Sequence, residues 1–275
     1  MLYKDNKQDK REEGSFDMEL FENPTKEYRG APFWAWNGQL DKARLGRQID
    51  CFRKMGFGGY HMHSRQGLAV EYLGDEFMEY VSFCVARGKE AGMYSYLYDE
   101  DRWPSGYAGG LVTQEPKFRQ RVLIITKETG VMADIESDPV EAFAEGRPYL
   151  VGCYDVQFDE AGFLQSYRRI QAWAEAEHEK YYAYSKTNDP SGRYNFQTYV
   201  DIMQPAAIQR FTELTHERYY AACGQEYGKS VPSIFSDEPR HEPLEQFSEA
   251  EEERGALYYW TYGFENSFRE QYGYS

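Results

Sequence analysis

The chain has no apolar run long enough to span a bilayer, and its first fourteen residues hold no apolar core of a secretory signal. A cytoplasmic location without membrane contact is the expectation. Positive charge is also short: 31 Lys and Arg stand against 46 Asp and Glu, for a net charge of -15. Nucleic acid and anionic membranes both demand a basic face, so neither is expected as a partner. Cysteine is scarce and unpatterned. Cys51, Cys84, Cys153 and Cys223 show no CxxC or paired spacing, and they read as reduced, mostly buried thiols. Several standard motifs are missing too. The glycine-rich stretch Trp103-Pro104-Ser105-Gly106-Tyr107-Ala108-Gly109-Gly110 lacks the Lys-Ser/Thr of a phosphate loop and the GxGxxG of a dinucleotide turn. Ser105 is not in a GxSxG elbow, and His216-Glu217 lacks the second His of HExxH.

What the chain does have is aromatic residues, 17% of the total with 25 Tyr and 5 Trp, within a hydrophobic fraction of 41%. That fraction supports a full core. The ring excess fits either a Tyr-rich core and surface or plates that stack on the apolar faces of sugars.

Residues 1–28 read as a polar leader. From 29 to 118 the pattern alternates strand and helix, the rhythm of a parallel sheet or barrel. Ala31 to Asn37 is a short aromatic strand ended by the turn Asn37-Gly38. Asp41 caps a helix carrying Leu45, Ile49, Phe52 and Met55, which Gly56 stops. A second strand runs from Gly58 to His63. Asp75 caps a second helix with Met78, Val81, Cys84 and Val85, and Tyr94 to Tyr98 is a third strand. Over 119–187 the rhythm breaks into strand-like runs at 122–126, 149–156 and 181–184, an antiparallel insertion after strand three. In 188–275 a helix opens at Pro205 with Ile208, Phe211, Leu214 and Thr215 on one face, and a fourth strand spans 231–235. Ser248 and Glu251 form a capping box for a helix with Leu257, Trp260 and Phe264 on one face. The fold class expected is α/β, a partial (β/α)8 TIM-type barrel. Four strands cannot close eight, so either the chain is truncated, with the rest of the barrel in a missing C-terminal region, or a second chain completes the sheet; truncation is the expectation.

Each strand ends in a polar cluster, where (β/α) barrels carry their sites. Glu238, beside Asp237 and ahead of Pro239, is the candidate general acid, since desolvation and a like neighbour raise a carboxyl's pKa. A strand cap or a surface ion pair is the competing reading. Asp99-Glu100-Asp101 is a second acidic cluster, with Glu100 the candidate base and Arg65 and Arg102 as charge partners. His61 and His63 are two apart on a strand, so their rings share a side. That spacing suits a metal hydrolase of the amidohydrolase type or, without metal, contacts to sugar hydroxyls. The latter is preferred and no metal ligand is assigned, because His178, His216 and His241 do not fall at later strand ends.

Four segments together resemble a known family: Tyr28-Arg29-Gly30-Ala31-Pro32-Phe33-Trp34-Ala35-Trp36-Asn37-Gly38, Met55-Gly56-Phe57-Gly58-Gly59-Tyr60-His61-Met62-His63-Ser64-Arg65, Leu97-Tyr98-Asp99-Glu100-Asp101-Arg102-Trp103-Pro104-Ser105-Gly106 and Phe235-Ser236-Asp237-Glu238-Pro239. In this order they look like the N-terminal barrel of glycoside hydrolase family 106 and related bacterial α-L-rhamnosidase-like proteins. The resemblance covers about residues 20–275. It implies a (β/α)8 catalytic domain with β-sandwich domains downstream. It also implies hydrolysis of terminal rhamnose by two inverting carboxylates, with calcium in or near the site. Members are often exported, and this chain is expected to depart from them, since its first fourteen residues hold no apolar signal core. The expectation is a glycoside hydrolase with a carbohydrate substrate and Glu238 and Glu100 as catalytic carboxylates. Glu100's place could fall instead to a carboxylate beyond Ser275. Trp34, Trp36 and Trp103 would supply stacking walls, and Asn37, His61, His63, Arg65, Asp99, Asp101 and Asp237 would line the site. The alternatives are the metal-dependent hydrolase and a non-catalytic carbohydrate-binding fragment.

Overall fold

The computed structural model describes residues 16–127, 138–241 and 256–274. The fold is mixed α/β, with one parallel and one antiparallel sheet. The parallel sheet takes strands β1 (Phe33–Trp36), β2 (Gly59–Ser64), β3 (Tyr94–Tyr98) and β8 (Ile234–Phe235) in that spatial order. Helix α2 (Lys42–Lys54) joins β1 to β2, and α3 (Asp75–Glu90) joins β2 to β3. These are the crossovers that parallel strands require. Among the described residues the sheet is open and no closed barrel is present.

Local signals explain the helices. Asp41 caps α2 by accepting the Arg44 N–H at 2.8 Å, and Gly56 supplies the positive φ of 86° that turns the chain out. Leu45 and Ile49 are buried as their spacing demands, whereas Met55 lies beyond the helix and is exposed. Gly74, not Asp75, occupies the cap of α3; Asp75 sits in the first turn and pairs with Arg218 at 2.6 Å. The helices cover one face of the sheet, and the main core lies between. It holds Trp34, Trp36, Tyr60, Met62, Phe77, Val81 and Leu97. Gly88 of α3 allows that closeness, since a Cβ there would collide with the Tyr60 hydroxyl and Ser95 Oγ. Those hydroxyls instead bond to each other at 3.0 Å, and Tyr60 reaches the Cys84 carbonyl at 2.7 Å. Of the polar leader, residues 16–28 are described. They form α1 (Met18–Glu22) and a turn that docks on β3, where the Tyr94 hydroxyl donates to Glu27 at 2.7 Å.

After β3 the chain builds the second sheet, in the order β6-β5-β7-β4-β9. Its strands are β4 (Arg121–Thr126), β5 (Tyr149–Phe158), β6 (Leu164–Ile170), β7 (Glu179–Thr187) and β9 (Ala256–Trp260), with α4 (Pro139–Ala144) between β4 and β5. β6 was not anticipated; its residues are almost wholly exposed and give no alternating pattern. Helices α5 (Pro205–Leu214) and α6 (His216–Cys223) then return the chain to the parallel sheet. Phe211 is buried on α5, but Ile208 is exposed. The helix expected across Leu257, Trp260 and Phe264 is corrected. Residues Ala256–Trp260 form β9 on the free side of β4, and helix α7 (Phe264–Tyr272) starts after it. An open edge and a run of β-favouring aromatics outweigh the helical spacing there. The capping box of Ser248 and Glu251 lies outside the described residues.

Candidate functional site

Alternation along the parallel strands sorts their side chains into two sets. Phe33 is level with His61 and Ala35 with His63, while Gly59 and His61 are level with Tyr94 and Tyr96. Level residues share a face. Phe33, His61, His63, Tyr96, Tyr98 and Phe235 therefore gather on the side away from the helices. Their rings touch: His61 stacks on Tyr96 at 4.4 Å and His63 on Tyr98 at 4.1 Å, and Phe33 meets His63 at a tilt with centroids 4.0 Å apart. Phe33 and Phe235 remain 52% and 42% exposed, so this face is an open aromatic floor.

The same geometry corrects two expectations. Trp34 and Trp36 are 7% and 1% exposed and point into the helix-side core. Trp34 packs edge-on against Trp36, Phe52 and Tyr60, and its indole donates to Gln48 at 3.2 Å. Neither ring can reach a ligand on the open face. Asn37 is exposed at the end of β1.

Burial lowers the pKa of His61, and burial with the charges of His61 and Arg65 holds His63 down at about 3. Both imidazoles are neutral at ordinary pH, and His63 Nδ1 is buried without a hydrogen-bond partner. Among the described residues no group of three or more His, Cys, Asp or Glu could hold a metal ion. Nor is any helix there long and apolar enough to cross a membrane.

The acidic residues after β3 are buried and engaged. Asp99 accepts from Ser105 Oγ at 2.6 Å and meets His216 Nε2 at 3.0 Å. Asp101 accepts from Ser64 Oγ at 2.7 Å and pairs with Arg102 at 3.1 Å. Glu100, expected as the base, is fully buried and takes five backbone N–H groups. Those of Gly106, Tyr107 and Ala108 reach one oxygen at 2.8 to 3.0 Å, and those of Asp101 and Gly109 reach the other. Burial raises its pKa, while the N–H donors oppose that by favouring the ionised form. No lone pair is left for a substrate proton. In this geometry Glu100 is the anchor of the 106–109 loop, and the base role is corrected on that ground.

Asp237 and Glu238 follow β8. Ser105 ties this end to the other: its N–H donates to the Asp237 carbonyl at 2.9 Å, and its Oγ accepts the Asp237 N–H at 2.8 Å. Asp237 is half-buried, and its pKa is raised by burial and then by the charge of Glu238. Glu238 is exposed, sits at φ 46° and accepts from Trp103 Nε1 at 3.1 Å. Arg65 follows β2, its guanidinium 5.1 Å from the Phe33 ring centroid. It also lines a cleft of about 270 Å³ with Asp101, Arg102, Gly109 and Asn195.

Backbone strain concentrates here. Leu73, Ala108, Asn195, Phe196 and Glu238 are the non-glycine residues with positive φ among those described. Ala108 and Glu238 lie in the loops after β3 and β8 and Asn195 bonds the Gly109 carbonyl, whereas Leu73 lies just ahead of α3 in the helix-side core. Such strain persists only where neighbours over-determine the backbone, as binding loops do. Phe33, Tyr98, Ser105 and Phe235 lie within the segments that carry the family resemblance but have no individual role there, and Tyr96 and His216 are not expected in the site at all. The same alternation that paired His61 with His63 identifies the rings, once the strands are in register. Nothing in the sequence links His216 to Asp99.

No family model and no curated protein matches the chain. Among solved structures, a rhamnosidase from Novosphingobium sp. PP1Y is similar over 54% of this chain and 17% of its own, with 18% identity and a TM-score of 0.36. At that level the likeness bears on neither the activity nor the substrate of this protein.

Proposed function

We propose that this chain carries a glycoside hydrolase-like site, acting on a sugar that lies over the open face of the parallel sheet. One observation carries the reading: an exposed carboxyl, Glu238, stands in a strained turn at the rim of an aromatic floor. Rings of this kind complement the C–H faces of a pyranose. Neutral His61 and the charged Arg65 supply donors for its hydroxyls. Glu238 is the proton donor to the leaving oxygen. Asp237 lies behind it and lines the site, and Asp99 and Asp101 shape the wall through Ser105, His216, Ser64 and Arg102.

The test is hydrolysis by Glu238→Gln, compared on glycosides with poor and with acidic leaving groups. General acid catalysis typically contributes roughly 10²–10⁴-fold, so turnover of an unactivated glycoside drops by that order. An activated aryl glycoside, whose phenol leaves without help, suffers clearly less. Near-normal turnover of the unactivated substrate would reduce Glu238 to a strand cap.

A further inference from the structure

Trp103 reads from the sequence as a sugar-stacking wall, but its ring is already engaged. The guanidinium carbons of Arg193 and Arg240 lie 4.2 and 4.6 Å from its centroid, inside cation–π range. The indole has one hydrogen-bond donor, and that donor goes to Glu238 Oε2 at 3.1 Å. We propose that Trp103 is a positioning residue for Glu238, with Arg193 and Arg240 clamping and polarising its indole. The proposal rests on the reading of Glu238 as the reacting carboxyl and adds how that carboxyl is aimed.

A cation over the ring draws density from the π system, which makes the N–H a better donor to a carboxylate. Glu238 sits in a left-handed conformation at φ 46°, of a kind that side chains adopt only with support from their surroundings. The indole bond is a tether from the neighbouring strand's loop, and it spans 135 residues of sequence. Arg193 comes from elsewhere again, the turn Gly192–Tyr194 on the way back from the antiparallel sheet. Its N–H is held by Ser191 Oγ at 3.2 Å. The exit arm of the insertion thereby acts on the geometry of the β8 turn.

The experiment uses the full chain, an unactivated glycoside and the indole N–H resonance of Trp103, identified by its loss in Trp103→Phe. Phenylalanine keeps a ring for sugar or guanidinium but has no N–H. If Trp103 positions Glu238, Trp103→Phe lowers kcat roughly 10- to 100-fold with KM unchanged, because small misplacements of a reacting group cost on that order. Arg193→Gln moves kcat in the same direction by less. If Trp103 stacks on sugar, Trp103→Phe stays near wild type, and that result overturns the proposal. The resonance reads the contact without any turnover. Glu238→Gln replaces the carboxyl acceptor with an amide and shifts the Trp103 N–H resonance. An unmoved resonance means no bond and also overturns the proposal. A moved resonance in a chain that hydrolyses no glycoside would leave the tether standing and remove the glycosidase reading.

Discussion

Two acidic strand ends lie side by side in this molecule and are built for opposite purposes. After β3, Asp99, Glu100 and Asp101 are all buried, and each has its partners within the fold. After β8, Asp237 is half-buried and Glu238 is exposed, and among the described residues its carboxyl accepts one hydrogen bond, from the Trp103 indole. The first cluster is denser in charge, yet its carboxylates are spent on holding loops. A carboxyl can exchange a proton with a ligand only if an oxygen remains free to face it. Acidity in sequence marks where charge is placed, whereas access decides whether that charge reacts.

The comparison can be broken by separating activity from stability. The largest effect expected is that of Glu238→Gln, a loss of roughly 10²–10⁴-fold on unactivated glycosides, with the urea midpoint unchanged because the side chain is exposed. A midpoint that falls along with activity would make the β8 end structural as well. Glu100→Gln is the reverse case. Its amide turns N–H groups toward backbone N–H donors and leaves them unsatisfied in a buried loop, at a cost of about 3 kcal/mol in denaturant unfolding. Neutral stability in that variant would mean that the loop does not depend on a carboxylate.

Ser105→Ala sharpens the contrast, since Ser105 is the tie between the two ends. It leaves Asp99 Oδ1 and the Asp237 N–H without their shared hydroxyl, for a loss of about 1–2 kcal/mol. An unchanged unfolding curve would mean that the two ends are held independently. The smallest effect is a pH dependence. Asp237 has a pKa raised in the folded state by burial and by Glu238, so the folded state binds its proton more tightly than the unfolded state. That contribution to stability is fully present below the ordinary Asp range and is lost as pH rises through the raised value. Asp237→Asn should therefore flatten the stability profile from about pH 4 upward. A wild-type profile that matches the variant's across that window would show that Asp237 is not desolvated.

The alternation of strand and helix from Phe33 to Tyr98 was legible because local rules govern it. Asp41 and Gly56 bound a helix by their own chemistry, and His61 and His63 share a face by the geometry of any strand. The sequence also placed its acidic residues at the ends of β3 and β8. It could not say which face of the sheet the helices would cover, because that depends on layers meeting. Trp34 and Trp36 consequently became core, and Phe33 and Phe235 became floor. It could not show that residues 256–260 would leave a helical pattern to pair with β4, since the open edge belongs to a strand more than a hundred residues earlier. Nor could it bring His216 to Asp99, five N–H groups to Glu100, or Arg193 and Arg240 to Trp103. Periodicity and capping act over a few residues and survive in one dimension. Which carboxylate is saturated and which stays open depends on segments far apart in the chain, and only their packing decides it.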